Sequence, residues 1–265
     1  MLLLVLLVGC KRPPEAPRDL DALATYLFVE HLAEDPEVMA VGLQNLRTWF
    51  ETDYDEKSGY ELLQGLPGDS VSSLNGSTAY EDPKAKASRK VPSGGAGAAT
   101  DGAHPFDDYV AALTAVDQDV VFPKQFDDWA RTWRLCDGDT FADQGCDLLE
   151  ADEEQDNNFG FGFKSEGESY NQYRWVELDD GSWAMSHRNW QLYPPDVSNA
   201  LMEVEDQYYL NTFVPSSDGK TVYRFQATWA YFGDDVPKGS ALDLTTGSML
   251  GSSADLEEWL DENDP

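Results

Sequence analysis

The chain has 265 residues, of which 41% are hydrophobic and 12% aromatic, enough for one large domain or two small domains with a real core. Eighteen Lys and Arg residues against 50 Asp and Glu residues give a net charge of −32. Because a negative field of this strength repels phosphate, the composition argues against nucleic acid and anionic membrane surfaces as partners. It is typical of an acidic, strongly hydrated protein surface.

An apolar run, residues 2–8, opens the chain and leads into the motif Leu7-Val8-Gly9-Cys10. The run is shorter than the roughly 20 apolar residues that cross a bilayer, and its length and small last residue are typical of a secretory leader. The motif resembles the lipobox of bacterial lipoproteins. This resemblance implies a signal peptide of residues 1–9, cleavage before Cys10, and acyl chains of the palmitate type on Cys10 that anchor the protein to a membrane.

The residues around the motif add to the expected location. Nothing basic precedes Leu2, so we expect the true start of the chain to lie upstream. By the same resemblance, Lys11 after the cysteine implies the outer membrane of a bacterial cell envelope. Residues 10–18 include three prolines, which disfavour helix and predict an extended tether.

With Cys10 acylated, Cys136 and Cys146 remain as a pair. An oxidising envelope favours a disulfide between them, and two free thiols are the alternative. The loop between the two cysteines carries three acids, Asp137, Asp139 and Asp143. Closely spaced carboxylates in a constrained loop suit calcium, which makes the loop a weak calcium candidate; the alternative is an acidic loop that arises by chance. We expect no other cofactor.

Residues 19–81 are predicted to be a helical segment. Apolar residues at three- and four-residue spacing indicate two helices, separated where Asp35 suits an N-cap and Pro36 the first helical position. Residues 82–105 are of low complexity and bury too little apolar surface to offset their ordering, which predicts a flexible insert. The periodicity becomes helical again over 106–135, apart from a short strand predicted near residue 121.

From residue 159 to residue 232 the apolar period changes from 3.6 to 2, which predicts antiparallel strands. Asp180-Gly181 is a hairpin signal, and a second turn is predicted at Ser217-Asp218-Gly219. The last strand alternates, with four aromatic residues on one face and Arg224, Gln226 and Thr228 on the other: Tyr223, Phe225, Trp229 and Tyr231. Ser252 is predicted to begin a short C-terminal helix.

These elements predict an α+β fold in which N-terminal helices are followed by a curved antiparallel sheet and a short C-terminal helix. We expect the helices on one face of the sheet, and residues 106–265 in one domain with residues 19–81. Residues 202–231 with the helix at 256–260 resemble helix-grip domains of the START and Bet v 1 type. That resemblance implies an apolar cavity for lipids or other hydrophobic ligands, and the aromatic face of the last strand is its predicted lining.

The sequence has no Gly-x-Ser-x-Gly elbow, phosphate loop or dinucleotide fingerprint, and its three histidines form no zinc motif. We therefore predict no catalytic residues and expect a lipid-anchored, non-enzymatic binding module. One alternative is a hydrolase with an unrecognised acidic site, which requires clustered buried carboxylates of perturbed pKa. The other is a structural or assembly lipoprotein, which predicts an exposed apolar patch.

Overall fold

A computed structural model describes residues 14–55, 60–74, 89–158, 164–193, 196–197, 204–232 and 238–263. Its α-helices are α1 (Leu20–Val29), α2 (Pro36–Thr52), α3 (Gly68–Leu74), α4 (Phe106–Thr114), α5 (Gln118–Val121), α6 (Gly138–Ala142) and α7 (Lys238–Asn263). Its strands are β1 (Tyr60–Gln64), β2 (Gly94–Gly102), β3 (Phe126–Leu135), β4 (Leu148–Asn158), β5 (Lys164–Glu177), β6 (Trp183–Gln191), β7 (Asp196–Val197), β8 (Val204–Pro215) and β9 (Val222–Phe232). The leader and Cys10 lie outside the described residues.

Within this described part, the strands form one curved antiparallel sheet in the order β1-β2-β9-β8-β6-β5-β4-β3, with β7 paired to β5. Hairpins join β5 to β6 and β8 to β9, at turns that contain Gly181 (φ +81°) and Gly219 (φ +69°). Glycine adopts this left-handed backbone without the steric cost that other residues meet. Both predicted hairpins and the α+β class are confirmed.

The N-terminal helical pair forms where the sequence predicts it. The Asp19 carboxylate caps α1 by accepting from the backbone N–H of Ala22 at 3.0 Å. Asp35 caps α2 by accepting from the N–H of Glu37 at 3.3 Å, and Pro36 occupies the first turn. These caps satisfy backbone donors that a helix start leaves without partners.

One face of the sheet packs against α1 and α2. Phe28 of α1 lies 5.5 Å from the Trp229 ring, and Phe50 of α2 stacks on Tyr223 with ring centroids 4.6 Å apart. The fully buried sheet residues of this core include Tyr170, Ala184, Trp190, Tyr208, Leu210, Val214, Phe225, Ala227 and Trp229. Burial of each large side chain here stabilises the fold by about 1.5–3 kcal/mol. Helices α1 and α2 are therefore the packing partners of this aromatic face.

The opposite face of the sheet packs against α4, α6 and the C-terminal end of α7. The sheet residues of this second core include Leu149, Tyr173, Trp175, Met185 and Phe213. Helices therefore cover both faces of the sheet, which corrects the prediction of helices on one face. The physical reason is that the strands carry apolar residues on both sides over part of their length.

Two segments differ from their predicted structure. Residues 94–102, inside the predicted flexible insert, form β2 between β1 and β9. Its small residues allow close approach, because a Cβ at Gly95 would lie 2.6 Å from Trp229 Cδ1. Residues 126–135, predicted as helix, form β3, in which Trp129 and Trp133 share a face at period 2 and not at helical spacing.

The C-terminal helix is longer than predicted, since α7 spans 26 residues and begins well before Ser252. Ala96 and Ala98 of β2 form a small buried cluster with Met249 of α7, so the glycine- and alanine-rich strand provides the surface on which α7 rests. No described helix combines the length and apolar character that crossing a membrane requires.

The predicted disulfide is confirmed. Cys136 and Cys146 are bonded, with Cα atoms 6.7 Å apart, and the loop that they close contains α6. In the chain-entropy account, closing a loop of this size stabilises the folded state by about 3 kcal/mol.

Candidate functional site

A cavity of about 560 Å³ lies between α7 and the sheet face opposite α1 and α2. We call it the α7 cavity. Strands β4, β5, β6, β8 and β9 contribute its sheet wall, α7 a second wall, and the segment from α4 to β3 a third. Its volume falls within the roughly 300–1,000 Å³ of small-molecule sites.

Four lining residues stand side by side on neighbouring strands, and we call them the polar row. Gln226 of β9 pairs with Asn211 of β8, Asn211 pairs with His187 of β6, and His187 pairs with Tyr173 of β5. Two residues further along the same face of β8, β6 and β5, the side chains are those of the second apolar core: Phe213, Met185 and Trp175. The polar row therefore lies at the border between that core and the cavity.

Hydrogen bonds hold the polar row in place. The His187 ring stacks on Tyr173 with centroids 4.0 Å apart, and its Nε2 lies 2.8 Å from Asn171 Oδ1. The Tyr209 hydroxyl donates to Gln226 Oε1 at 2.5 Å. Gln226 in turn donates to the carbonyl oxygen of Met249 on α7 at 2.9 Å. The row is a rigid set of amides, hydroxyls and a neutral imidazole, since burial lowers the pKa of His187 well below its usual value.

A buried ion pair closes the β3 side of the cavity. Arg131 Nε and Nη2 each donate to Glu153 Oε1 at 2.7 Å, and both side chains are 1% exposed. Arg131 Nη2 also donates to the Tyr173 hydroxyl at 3.0 Å, and Nη1 to the Ala115 carbonyl at 2.7 Å. Burial raises the pKa of Glu153, against the opposing pull of the Arg131 charge.

Arg224 is a second buried arginine in the cavity, and it is 4% exposed. Its Nε donates to Asn211 Oδ1 at 3.1 Å, and its Nη1 and Nη2 donate to the hydroxyls of Ser253 and Ser252 at 3.3 and 2.9 Å. Among the described residues, no carboxylate lies within 4.0 Å of its nitrogens. Burial lowers the pKa of the Arg224 guanidinium, and the Tyr209 hydroxyl beside it opposes that shift.

The wall formed by the α4–β3 segment contributes most of the apolar lining, together with the polar residues Gln118, Lys124, Gln125 and Arg131. Its lining side chains include Leu113, Phe122, Phe126 and Trp129, and Met249 adds an apolar contact from α7. Phe126 and Trp129 pack together with ring centroids 4.5 Å apart. The α7 cavity thus combines a polar sheet floor with an apolar side, an arrangement suited to an amphipathic molecule.

The residues predicted to line a cavity lie on the other face of β9. Phe225 and Trp229 are 0% exposed in the core beneath α1 and α2, and Tyr223 packs against that same core. Tyr231 lies on this face too, with the Lys90 ammonium 5.4 Å from its ring centroid. The lining consists instead of the alternate residues, Arg224, Gln226 and Thr228, which corrects the prediction.

The calcium candidate is corrected as well. The Asp137 carboxylate caps α6, accepting from the Thr140 N–H at 2.9 Å and from its hydroxyl at 3.0 Å, and these bonds lower the Asp137 pKa. Asp139 and Asp143 do not join it in a cluster, and no group of three potential metal ligands occurs in the described part of the chain. The acids follow from the composition and from helix capping.

The hydrolase alternative required clustered buried carboxylates. In the cavity, the Glu153 carboxylate is bound by Arg131, and Asp255 accepts from Lys124 at 2.8 Å. Both carboxylates are therefore bound by cations. His31 lies on the far side of the sheet, fully buried, with Nδ1 3.1 Å from the Ser186 hydroxyl.

No protein-family model matches the chain, and no curated protein matches it. Solved structures similar to it are START and lipid-transfer domains, the type that the sheet and the C-terminal helix resembled. A STAR-related lipid transfer protein from Xanthomonas axonopodis is 16% identical, with 63% of this chain and 86% of that chain covered and a TM-score of 0.44. A START superfamily protein from Mycobacterium smegmatis is 7% identical, with 63% and 96% covered and a TM-score of 0.41.

The human StarD13 (DLC2) lipid transfer and protein localization domain is 9% identical, with 63% of this chain and 76% of that chain covered and a TM-score of 0.42. Similarity at this level assigns no function to the chain. The geometry of the α7 cavity is the basis for the proposal made below.

The buried ion pair yields a stability prediction. Replacing Glu153 with Gln leaves the Arg131 charge buried without its carboxylate, and we expect the free energy of unfolding to fall by about 3–5 kcal/mol. The double variant Arg131→Met, Glu153→Leu removes both charges and should recover most of that loss. Urea unfolding at neutral pH measures both effects, and equal destabilisation of the single and double variants would contradict the prediction.

The neutral state of His187 yields a pH prediction. Its folded pKa lies below the unfolded value of about 6.5, so its stabilising effect is present above pH 6.5 and is lost as the pH falls below it. Between pH 6.5 and 5.5, we expect His187→Gln to reduce the pH dependence of unfolding by up to about 1.4 kcal/mol per pH unit. Urea titrations of the parent and the variant across this pH range provide the comparison. Glu153 and His31 are present in both proteins, so their contributions to the pH dependence cancel in the difference. Parallel curves would show that His187 is not held neutral.

Proposed function

We propose that this chain is a non-enzymatic binding module that holds a small amphipathic molecule in the α7 cavity. The cavity itself is the observation that carries the proposal: about 560 Å³ of space between α7 and a polar sheet face. A concave space of this volume that brings together apolar side chains and a few polar groups fits the general description of a small-molecule site.

The lining favours an amphipathic occupant over a purely apolar one. The polar row and Arg224 lie on the sheet side, and Phe122, Phe126 and Trp129 lie on the other. An entirely apolar molecule would exclude water from the polar lining groups and leave their remaining hydrogen-bonding capacity unmet, which costs free energy. A molecule with one polar end and an apolar body satisfies both surfaces.

We propose further that acyl chains on Cys10 anchor this module in a bacterial envelope. The lipobox-like motif supports this location, and the disulfide between Cys136 and Cys146 is typical of proteins outside the reducing cytosol. The binding module would then work at a membrane surface, from which amphipathic molecules are exchanged.

Gly251 of α7 is a position at which a side chain can be added beside the cavity. It lines the cavity, and a Cβ built there meets nothing within 4 Å. We expect Gly251→Trp to weaken binding of Nile red, a neutral fluorophore, at least tenfold, because the indole occupies the space of the probe. Fluorescence titration measures the affinity for Nile red. Thermal unfolding checks that the variant folds, which we expect because Gly is a weaker helix former than Trp.

Ala254→Trp is the matched control, because Ala254 is exposed on the same helix and does not line the cavity. It should leave Nile red binding unchanged. If Gly251→Trp bound the probe as tightly as the parent does, the α7 cavity would not be the binding site.

The anchor has its own test in cells. Replacing Cys10 with Ser removes the thiol that carries the acyl chains, so we expect the protein to move from the membrane fraction to the soluble fraction. Cell fractionation and intact-mass analysis report location and acylation separately. Continued membrane association of the Ser variant would overturn the anchor.

A further inference from the structure

The three cations that line the α7 cavity differ in their partners. Arg131 is neutralised by Glu153 at 2.7 Å, and Lys124, which is exposed, is matched by Asp255 and Glu258 at 2.8 Å each. His187 is held neutral by burial, which lowers its pKa. Arg224 remains as a buried cation in the described lining with hydroxyl and amide oxygens around it and no carboxylate in contact.

A buried guanidinium without an anion is costly. Moving an ion away from water has a penalty of several kcal/mol, which a nearby opposite charge offsets best. Neutral oxygens of Asn211, Ser252 and Ser253 accept from the group. The Tyr209 hydroxyl also lies beside it, and the Phe213 ring centroid lies 5.2 Å from its Cζ. Guanidinium carries five N–H donors, so donor capacity is left on the Nη nitrogens.

The other acids near Arg224 do not fill this role. Glu257 influences Arg224 through space, but its Oε1 accepts from the Tyr109 hydroxyl at 2.7 Å. Asp243 lines the cavity from an exposed position on α7, where water screens its charge. The acid that would balance Arg224 is therefore not supplied by contacts within the described chain.

We propose that the occupant of the α7 cavity is a monoanionic amphiphile, a single-chain carboxylate of the fatty-acid type, whose head group pairs with Arg224. This inference rests on the binding function proposed above and specifies its ligand class. A carboxylate accepts two parallel N–H bonds from a guanidinium. The apolar chain then lies along Leu113, Phe122, Phe126 and Trp129.

The one cation without a carboxylate in contact also sets the charge of the ligand. A phosphate monoester brings about two negative charges near neutral pH, and the second would face no free cation in the described lining. A neutral amphiphile would leave Arg224 as it is now. One negative charge matches the single guanidinium that lacks a carboxylate in contact.

The test uses cis-parinaric acid, a fluorescent polyene fatty acid, and its methyl ester, which has the same chain without the charge. With the full protein, we expect the acid to bind roughly tenfold to hundredfold more tightly than the ester. Dodecanoate should displace the probe at lower concentration than dodecyl phosphate. Arg224→Gln should reduce the preference for acid over ester to less than about twofold.

Arg188→Gln is the matched control, since Arg188 is also a buried arginine of the sheet, 7% exposed, but bonds to the Phe28 carbonyl on the opposite face. It should keep the preference for the acid. Far-ultraviolet circular dichroism and thermal unfolding confirm that both variants fold. If Arg224→Gln does not fold, two measurements still test the proposal. The parent should bind the acid more tightly than the ester, and Arg224→Lys, which keeps the positive charge, should retain that preference.

The outcomes separate the two proposals. If acid and ester bind the parent equally while Nile red binding responds to Gly251→Trp, the cavity function holds and the monoanionic ligand is overturned. Tighter binding of dodecyl phosphate, or a preference for acid that survives Arg224→Gln, also overturns it. If neither parinaric probe nor Nile red binds, the binding function itself fails.

Discussion

The two-residue alternation of the central strands is the constraint on which the rest of this structure depends. Along β9, one set of side chains is aromatic or aliphatic and the other set is Arg224, Gln226 and Thr228. Because successive side chains of a strand point to opposite faces, one sheet presents two chemically different surfaces. Helices α1 and α2 cover the apolar surface, and α7 spans the polar one, so the cavity forms where full apolar packing is not available.

The two buried arginines of this polar sheet face differ in how their charge is compensated. Arg131 and Glu153 neutralise each other, and Arg131 also lies between the rings of Trp133 and Tyr173, 5.1 and 5.7 Å from the two ring centroids. Arg224 has hydroxyl and amide oxygens around it and the Phe213 ring centroid 5.2 Å from its Cζ, but no carboxylate in contact, although the protein as a whole carries a charge of −32. Acids are abundant on this chain, so a buried cation without one in contact is the observation behind the proposed anionic ligand.

The acidic surface and the buried Arg224 act on ligands at different distances. The acidic surface repels phosphate-rich partners at long range. Arg224, by contrast, would stabilise a single negative charge only at short range, once that charge is bound beside the polar row. An amphiphile with a long apolar chain has the free energy of chain burial to offset the long-range repulsion. The proposed anchor at Cys10 would keep such a module close to a membrane that contains molecules of this kind.

The sequence alone determined the α+β class, the helical pair capped at Asp35, both hairpins, the disulfide and the alternation of β9, because each depends on local turn chemistry or on side-chain periodicity. It did not determine β2, whose glycines and alanines are typical of a linker until Trp229 and α7 provide contacts for them, nor β3, whose tryptophans fit either period. The prediction that the aromatic face of β9 lines the cavity was wrong, because periodicity alone does not decide which face of the strand the helices cover. Only the tertiary structure decided that, because the N-terminal helices bury the aromatic face and leave Arg224 and its polar neighbours to the cavity.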